Sequence, residues 1–338
     1  MPNKFLKTFT ISTITIFTLC MGLIISVDPY EKYGINVFGF KTKAVMFGRE
    51  VKFRMLDNTT NKYEAFLLGS SAAHRYKTSD MNEITGLKSF NYSVQHSTTE
   101  DYLAITRHII EKQSPKLIIV QFDFYTLNKN FETDPRLYNS PLRKYLKKSQ
   151  NNYFDSKAIS NTYLTMDALR DSIRVIGVNL FSEPRHIYLE HGDYPKEKLN
   201  TGKVKLSQHE YGKYEFDQKR VNQLKELQEL AKQNNIRLIA ITTPHTYEHV
   251  QSIKSQGLEK ELNQFKNILA NTFSEVYDFT NEGLKPYSTS EYFMDSSHLA
   301  PKLGKLILSE IFEANKSLHI GRNISLKSEL ILKGVLQL

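Results

Sequence analysis

The chain has 338 residues, of which 40% are hydrophobic and 24% charged, with a formal net charge of +9. This composition excludes global disorder and suffices for one large core or two modest ones. Cys20 is the sole cysteine, which excludes a disulfide framework and a thiolate metal cluster.

The first predicted element is an apolar helix. Residues 8 to 27 (TFTISTITIFTLCMGLIISV) carry no charge, and a helix needs about 20 such residues to cross a bilayer. Lys4 and Lys7 precede the run, whereas Asp28 and Glu31 follow it. That charge order predicts a single-pass helix in the inner (cytoplasmic) membrane, with the rest of the chain outside the cytoplasm. The alternative is a cleaved signal peptide, but no convincing small-x-small cleavage site stands before Asp28. With an exported body, the positive charge points to membrane lipid or an anionic glycan and away from nucleic acid. The predicted organisation is a cytoplasmic tip and anchor at 1–27, a juxtamembrane segment at 28–60 without sustained periodicity, and an exported domain at 61–338.

Within that domain short apolar runs alternate with helical patterns, the signature of βαβ units and a parallel sheet. The predicted strands are Glu64 to Leu68, Lys88 to Tyr92, Lys116 to Phe122, Arg237 to Thr242 and Glu275 to Phe279. The predicted helices are Glu100 to Glu111, with Tyr102, Ile105, Ile109 and Ile110 on one face; Phe216 to Gln233, with Val221, Leu224, Leu227 and Leu230; Gly257 to Ala270; and Pro301 to Phe312. Pro301 suits a first helical turn, where its missing N–H costs nothing. Residues from about 128 to 214 are too long for a simple connection and read as an insertion, with a helix at Tyr163 to Ile176. Ile324 to Leu336 reads as either an added strand or a short helix.

Two short motifs carry the candidate chemistry. Gly69-Ser70-Ser71 follows the first apolar run, at the sheet edge where open α/β folds bind ligands. A serine at such a turn can attack a carbonyl while nearby amides hold the oxyanion; equally, one of the two serines can simply cap the next helix. Asp295-Ser296-Ser297-His298 follows the fifth run. Asp and His at that spacing can meet, the carboxylate orienting an imidazole that activates a serine.

These blocks resemble the SGNH/GDSL hydrolase superfamily, in which a Gly-x-Ser block follows strand one and Asp-x-x-His precedes the terminal helix. The resemblance covers roughly residues 61 to 315 and implies a three-layer, flavodoxin-like α/β fold with a parallel five-stranded sheet. It implies Ser71 as nucleophile, His298 as general base and acid, and Asp295 as the group orienting His298. Phe90-Asn91-Tyr92-Ser93-Val94 resembles the second block, with Ser93 where a glycine usually offers its amide to the oxyanion. Gln121-Phe122-Asp123 stands at the third block, with Asp123 where an asparagine donor is usual. An ionised carboxylate cannot donate; a protonated one can.

Within the superfamily, the anchor, the Gly-Ser-Ser block and the late Asp-x-x-His are similar to membrane-anchored proteins of envelope acylation. These include the D-alanyl-transfer protein of teichoic acid modification and SGNH-like partners of membrane-bound O-acyltransferases. The resemblance implies an O-acyl esterase or acyltransferase acting on an envelope polysaccharide or glycolipid, partnered by a multi-spanning O-acyltransferase. Its rivals are a non-catalytic SGNH-fold protein that binds glycan or scaffolds a complex, and an esterase fed from the bilayer. No cofactor is expected, because phosphate loops and dinucleotide fingerprints are missing from the sequence. No metal is expected either: His245 and His249 have helical ligand spacing, but no Glu or Cys accompanies them in a known metal-binding arrangement. Tyr125, Tyr138, Tyr145, Tyr153 and Tyr163 read as core or rim residues, or as a carbohydrate-stacking surface.

Overall fold

The computed structural model describes residues 2–30, 35, 37–40, 48–134, 136–146, 163–181, 191–193, 208–313 and 320–325. In chain order these form α1 (Pro2–Val27), α2 (Gly48–Asn58), β1 (Ala65–Leu68), α3 (Thr78–Thr85), β2 (Ser89–Asn91), α4 (Thr99–Lys112) and β3 (Leu117–Phe122). There follow α5 (Met166–Phe181), α6 (Gln218–Gln233), β4 (Arg237–Thr242), α7 (Tyr247–Ile253), α8 (Glu259–Thr272), β5 (Val276–Asp278), α9 (Pro301–Phe312) and β6 (Arg322–Asn323).

The six strands form one mixed sheet in the order β2-β1-β3-β4-β5-β6. Its first five members are parallel, with Leu67 paired to Ile119 and Val120 to Ala240. Only β6 runs antiparallel, with Tyr277 opposite Asn323. The expected sheet of five parallel strands is therefore corrected to a mixed sheet of six. The added strand also lies just before the tail segment considered for it, most of which falls outside the described residues. A two-residue strand is too short to leave an alternation in the sequence.

Both faces of the sheet are covered. Phe66, Leu68, Ile118, Val120 and Phe122 point into a core with α2, α4, α6 and α8. Their neighbours Ala65, Leu67, Leu117 and Ile119 point the other way, into a core with α3 and α9. Two-sided burial explains why these strands read as continuous apolar runs.

Local signals set the helix ends. Thr98 and Asp101 form a reciprocal capping box at the start of α4, Asp217 caps α6 through the Lys219 amide, and Pro301 takes the first turn of α9.

The apolar helix α1 is long and apolar enough to span a membrane. Its threonines suit that environment, since Thr13 and Thr15 donate their hydroxyls to Phe9 O and Ile11 O, each at 2.9 Å. Asp28, in the left-handed region at φ 41°, and Pro29 end it.

The segment after α1 is more than a linker. Its helix α2 sends Phe53 and Leu56 into the core. Arg49 is buried there on Asp101 at 2.7 Å, which fixes α2 to the N-terminus of α4. Residues 191–192 of the insertion are likewise fixed to the body. His191 O accepts the Asn91 amide at 2.9 Å, and a Cβ at Gly192, where φ is +79°, would lie 2.3 Å from Asn91 O. Only glycine allows that approach.

Candidate active site

The turn that carries Ser71 is built by close packing. At the end of β1, a Cβ on Gly69 would lie 2.6 Å from Ala73 Cβ and 3.1 Å from Gln121 Cβ, so glycine lets the chain turn tightly against β3. A 3₁₀ turn over Ser71–Arg75 follows, and Ser70 caps it, its hydroxyl accepting from the Ala72 amide at 3.2 Å. The two serines thus divide the roles that the sequence left open. Ser70 is the cap, while Ser71 faces His298. As the first residue of the turn, Ser71 has an amide with no partner inside the turn.

The second motif folds into its own tight turn. Phe293 and Leu299 form an antiparallel bridge, and Asp295 Oδ1 accepts the amides of Ser297 and His298, each at 2.8 Å. The same carboxylate meets His298 Nδ1, at 2.9 Å from Oδ2. The opposite ring nitrogen, Nε2, stands 3.0 Å from Ser71 Oγ. Burial alone would raise the Asp295 carboxyl, but the His298 hydrogen bond and charge, with the two amides, hold it below the usual carboxylate value. Ser71, His298 and Asp295 therefore form one continuous chain of contacts.

The other predicted site residues lie close by in different states. Ser93 is fully buried, and its amide donates to Asn91 Oδ1 at 3.1 Å, so an oxyanion would have to compete with Asn91 for it. Asn91 also donates Nδ2 to Ala73 O and Tyr76 O, both at 3.1 Å. It thereby fastens β2 to the turn that carries Ser71.

Asp123 is buried at the end of β3, and its Oδ2 has no hydrogen-bond partner. Burial pushes its carboxyl above the usual value; Ser70, Thr243, Tyr125 and the charge of His298 act the other way.

No family model and no curated protein sequence matches this chain.

Several neighbours escaped the sequence reading. Glu210, from the insertion, is pushed up to about 7 by burial and by Asp123, against the pull of His298. Lys52, from α2, is fully buried, and its Nζ lies 3.5 Å from both Asn91 Oδ1 and Ser93 Oγ. Burial drives this amine well below its usual value, with Asp193 opposing. His74, in the Ser71 turn, is pushed well below its usual value, chiefly by burial. Nothing local marks these residues, because each gains its role from a partner distant in sequence.

His245 and His249 stack at 4.2 Å between ring centroids. His249 Nδ1 lies 3.4 Å from the hydroxyls of Ser296 and Ser297, while both His245 nitrogens are buried without a hydrogen-bond partner. Burial keeps the pair neutral, with His249 pushed down to about 4. The pair supports the Asp295–His298 turn, and no cluster able to hold a metal ion occurs among the described residues. Of the tyrosines, Tyr125 and Tyr163 are buried and Tyr138 is exposed. Tyr145 packs against His108, and Tyr153 lies outside the described residues.

Proposed function

We propose that this chain is a membrane-anchored serine O-acyl esterase or acyltransferase of SGNH type, acting on an envelope polysaccharide or glycolipid. The observation that carries the reading is the Ser71–His298–Asp295 contact chain, with 3.0 Å from nucleophile to base and 2.9 Å from base to orienting acid. The strand order β2-β1-β3-β4-β5 and the cores on both sheet faces support a three-layer, flavodoxin-like fold. The charge order around α1 supports an inner-membrane anchor with the catalytic domain outside the cytoplasm.

In this mechanism Ser71 Oγ attacks the acyl carbonyl carbon and gives its proton to His298 Nε2. Asp295 holds the resulting imidazolium. The tetrahedral intermediate then expels the alcohol, which takes the proton from His298 and leaves an acyl-Ser71. A sugar hydroxyl or water, deprotonated by His298, attacks next; the bond to Ser71 breaks and Oγ recovers the proton. The Ser71 amide supplies one oxyanion donor. Asp123 would supply a second only in its protonated form, toward which burial shifts it, and the Ser93 amide would have to leave Asn91 to become another.

Transfer outside the cytoplasm needs an acyl donor there, so the reading includes a multi-spanning O-acyltransferase that passes acyl groups across the membrane. A serine-reactive fluorophosphonate probe tests the core claim: labelling should occur and disappear in Ser71→Ala. A non-catalytic glycan-binding or scaffolding protein is the second reading, favoured by the commitment of the Ser93 amide to Asn91 and by a carboxylic acid where an amide donor is usual. Folded protein that stays unlabelled would select it.

A further inference from the structure

Helix α5 has two apolar sides and, among the described residues, a partner on only one of them. On the inner side Ala168, Ser172 and Val175 are buried. Ala168 and Leu169 belong to a small cluster with Met21, Ile24 and Tyr30 at the C-terminal end of α1. Polar contacts lock the pairing: Tyr30 donates its hydroxyl to Asp171 Oδ2 at 3.0 Å, and Tyr163 donates to Asp28. On the outer side Met166, Ile173 and Leu180 recur at the seven-residue spacing of one helical stripe, with exposures of 78%, 57% and 63%. Phe181, at the end of the helix, is 85% exposed. Arg170 and Arg174 lie along one side of the stripe, Arg170 paired with Asp167 at 2.9 Å, and residues 175–181 carry no charge.

The position of α5 on α1 decides what covers that stripe. A hydrocarbon layer of about 30 Å takes about 20 helical residues, and the uncharged run of α1 is residues 8–27. The whole run is therefore needed for the crossing. Its last turns must lie in the outer leaflet, with Met21 and Ile24 roughly 4 to 9 Å inside the end of the run. Those are the residues that α5 packs against. Ile24 and Val27 are buried while Ile25, on another side of the same turns, is 44% exposed. A bilayer that covers Ile25 reaches the adjoining helix.

We infer that α5 is a second membrane-contacting element, lying in the outer leaflet beside α1, with Met166, Ile173, Leu180 and Phe181 among acyl chains and Arg170 and Arg174 toward headgroup phosphates. Large side chains bordered by arginines are the composition of interfacial helices. A face that docks another transmembrane helix is built instead around small residues. The inference rests on the reading of α1 as a membrane anchor. Contact at two places restrains the tilt of the body on the membrane, which a single helical tether leaves free.

The chain contains no tryptophan, so one introduced indole reports one position. Full-length Phe9→Trp, Ile173→Trp, Leu180→Trp and Lys260→Trp variants are reconstituted in vesicles of phosphatidylcholine and phosphatidylglycerol, with and without brominated acyl chains. Emission from positions 9, 173 and 180 should be blue-shifted and lost to a comparable extent in brominated vesicles, while position 260 keeps its emission. Quenching at 9 with none at 173 and 180 overturns the inference and leaves the anchor standing. Blue-shifted but unquenched emission at 173 also overturns it, assigning the stripe to a second copy. No quenching at 9 removes the anchor and the inference with it.

Discussion

His298 Nε2 lies 3.0 Å from Ser71 Oγ although 227 residues separate the two in the chain. The contact exists because β1 and the turn after β5 both end at the same edge of the sheet, where Gly69 and the Asp295 carboxylate shape the two backbones. The roles proposed for the pair rest on this geometry and can be tested one residue at a time.

Ser71→Ala should abolish fluorophosphonate labelling and lower ester turnover by about three powers of ten or more. Ser70→Ala should behave differently, since its hydroxyl caps the 3₁₀ turn: a loss of about 1 kcal/mol in stability with most labelling retained. Equal loss of labelling in the two variants would assign the nucleophile wrongly.

Asp295→Asn keeps the shape of the turn but replaces the acceptor at His298 Nδ1 with a group that can present an amide donor. Turnover should fall by about 10³- to 10⁴-fold with little change in KM, as measured by steady-state kinetics on a soluble ester. A loss below tenfold would mean that His298 is oriented by something else.

Gly69→Ala puts a methyl group 2.6 Å from Ala73 Cβ, which forces the Ser71 turn away from His298. A shift approaching 1 Å costs about 100-fold in rate, so kcat/KM should drop by that order while the far-ultraviolet circular dichroism stays unchanged. Unaltered kinetics would show that the turn is not held by this contact.

The histidine behind the site gives a pH signature. Burial pushes His249 down to about 4 from 6.5, with Asp295 opposing. Between those values the unfolded chain binds a proton that the folded protein excludes, so stability falls as pH falls through that window. Each pH unit is worth about 1.4 kcal/mol per such proton. Urea unfolding of the wild type and His249→Gln should therefore give a stability difference that shrinks by about 2 kcal/mol from pH 7 to pH 5. A difference independent of pH would contradict a neutral, buried His249.

Much of the architecture was legible before folding. Arg237 to Thr242 reads as a strand with the bounds it has in the structure, and α4, α6 and α9 fall where their apolar periodicity puts them. Residues 8 to 27 likewise announce an apolar helix. These signals are local: burying one face of a helix or both faces of a strand dictates side-chain type every few residues. The sequence by itself therefore determined the αβ alternation, the apolar N-terminal helix and the two motifs at the strand ends. It could not determine hydrogen-bond partners, which depend on the path of the chain. Only the tertiary structure decided that Ser70 caps while Ser71 faces the histidine, and that Asn91 holds the Ser93 amide. It also decided that Lys52 of the juxtamembrane segment is buried beneath that strand, and that Glu210 of the insertion comes to share the field of Asp123. The His298, Lys52 and Glu210 contacts join segments far apart in the chain, which leave no periodic trace, while the Ser70 and Asn91 bonds are local but depend on backbone turns that the packing imposes.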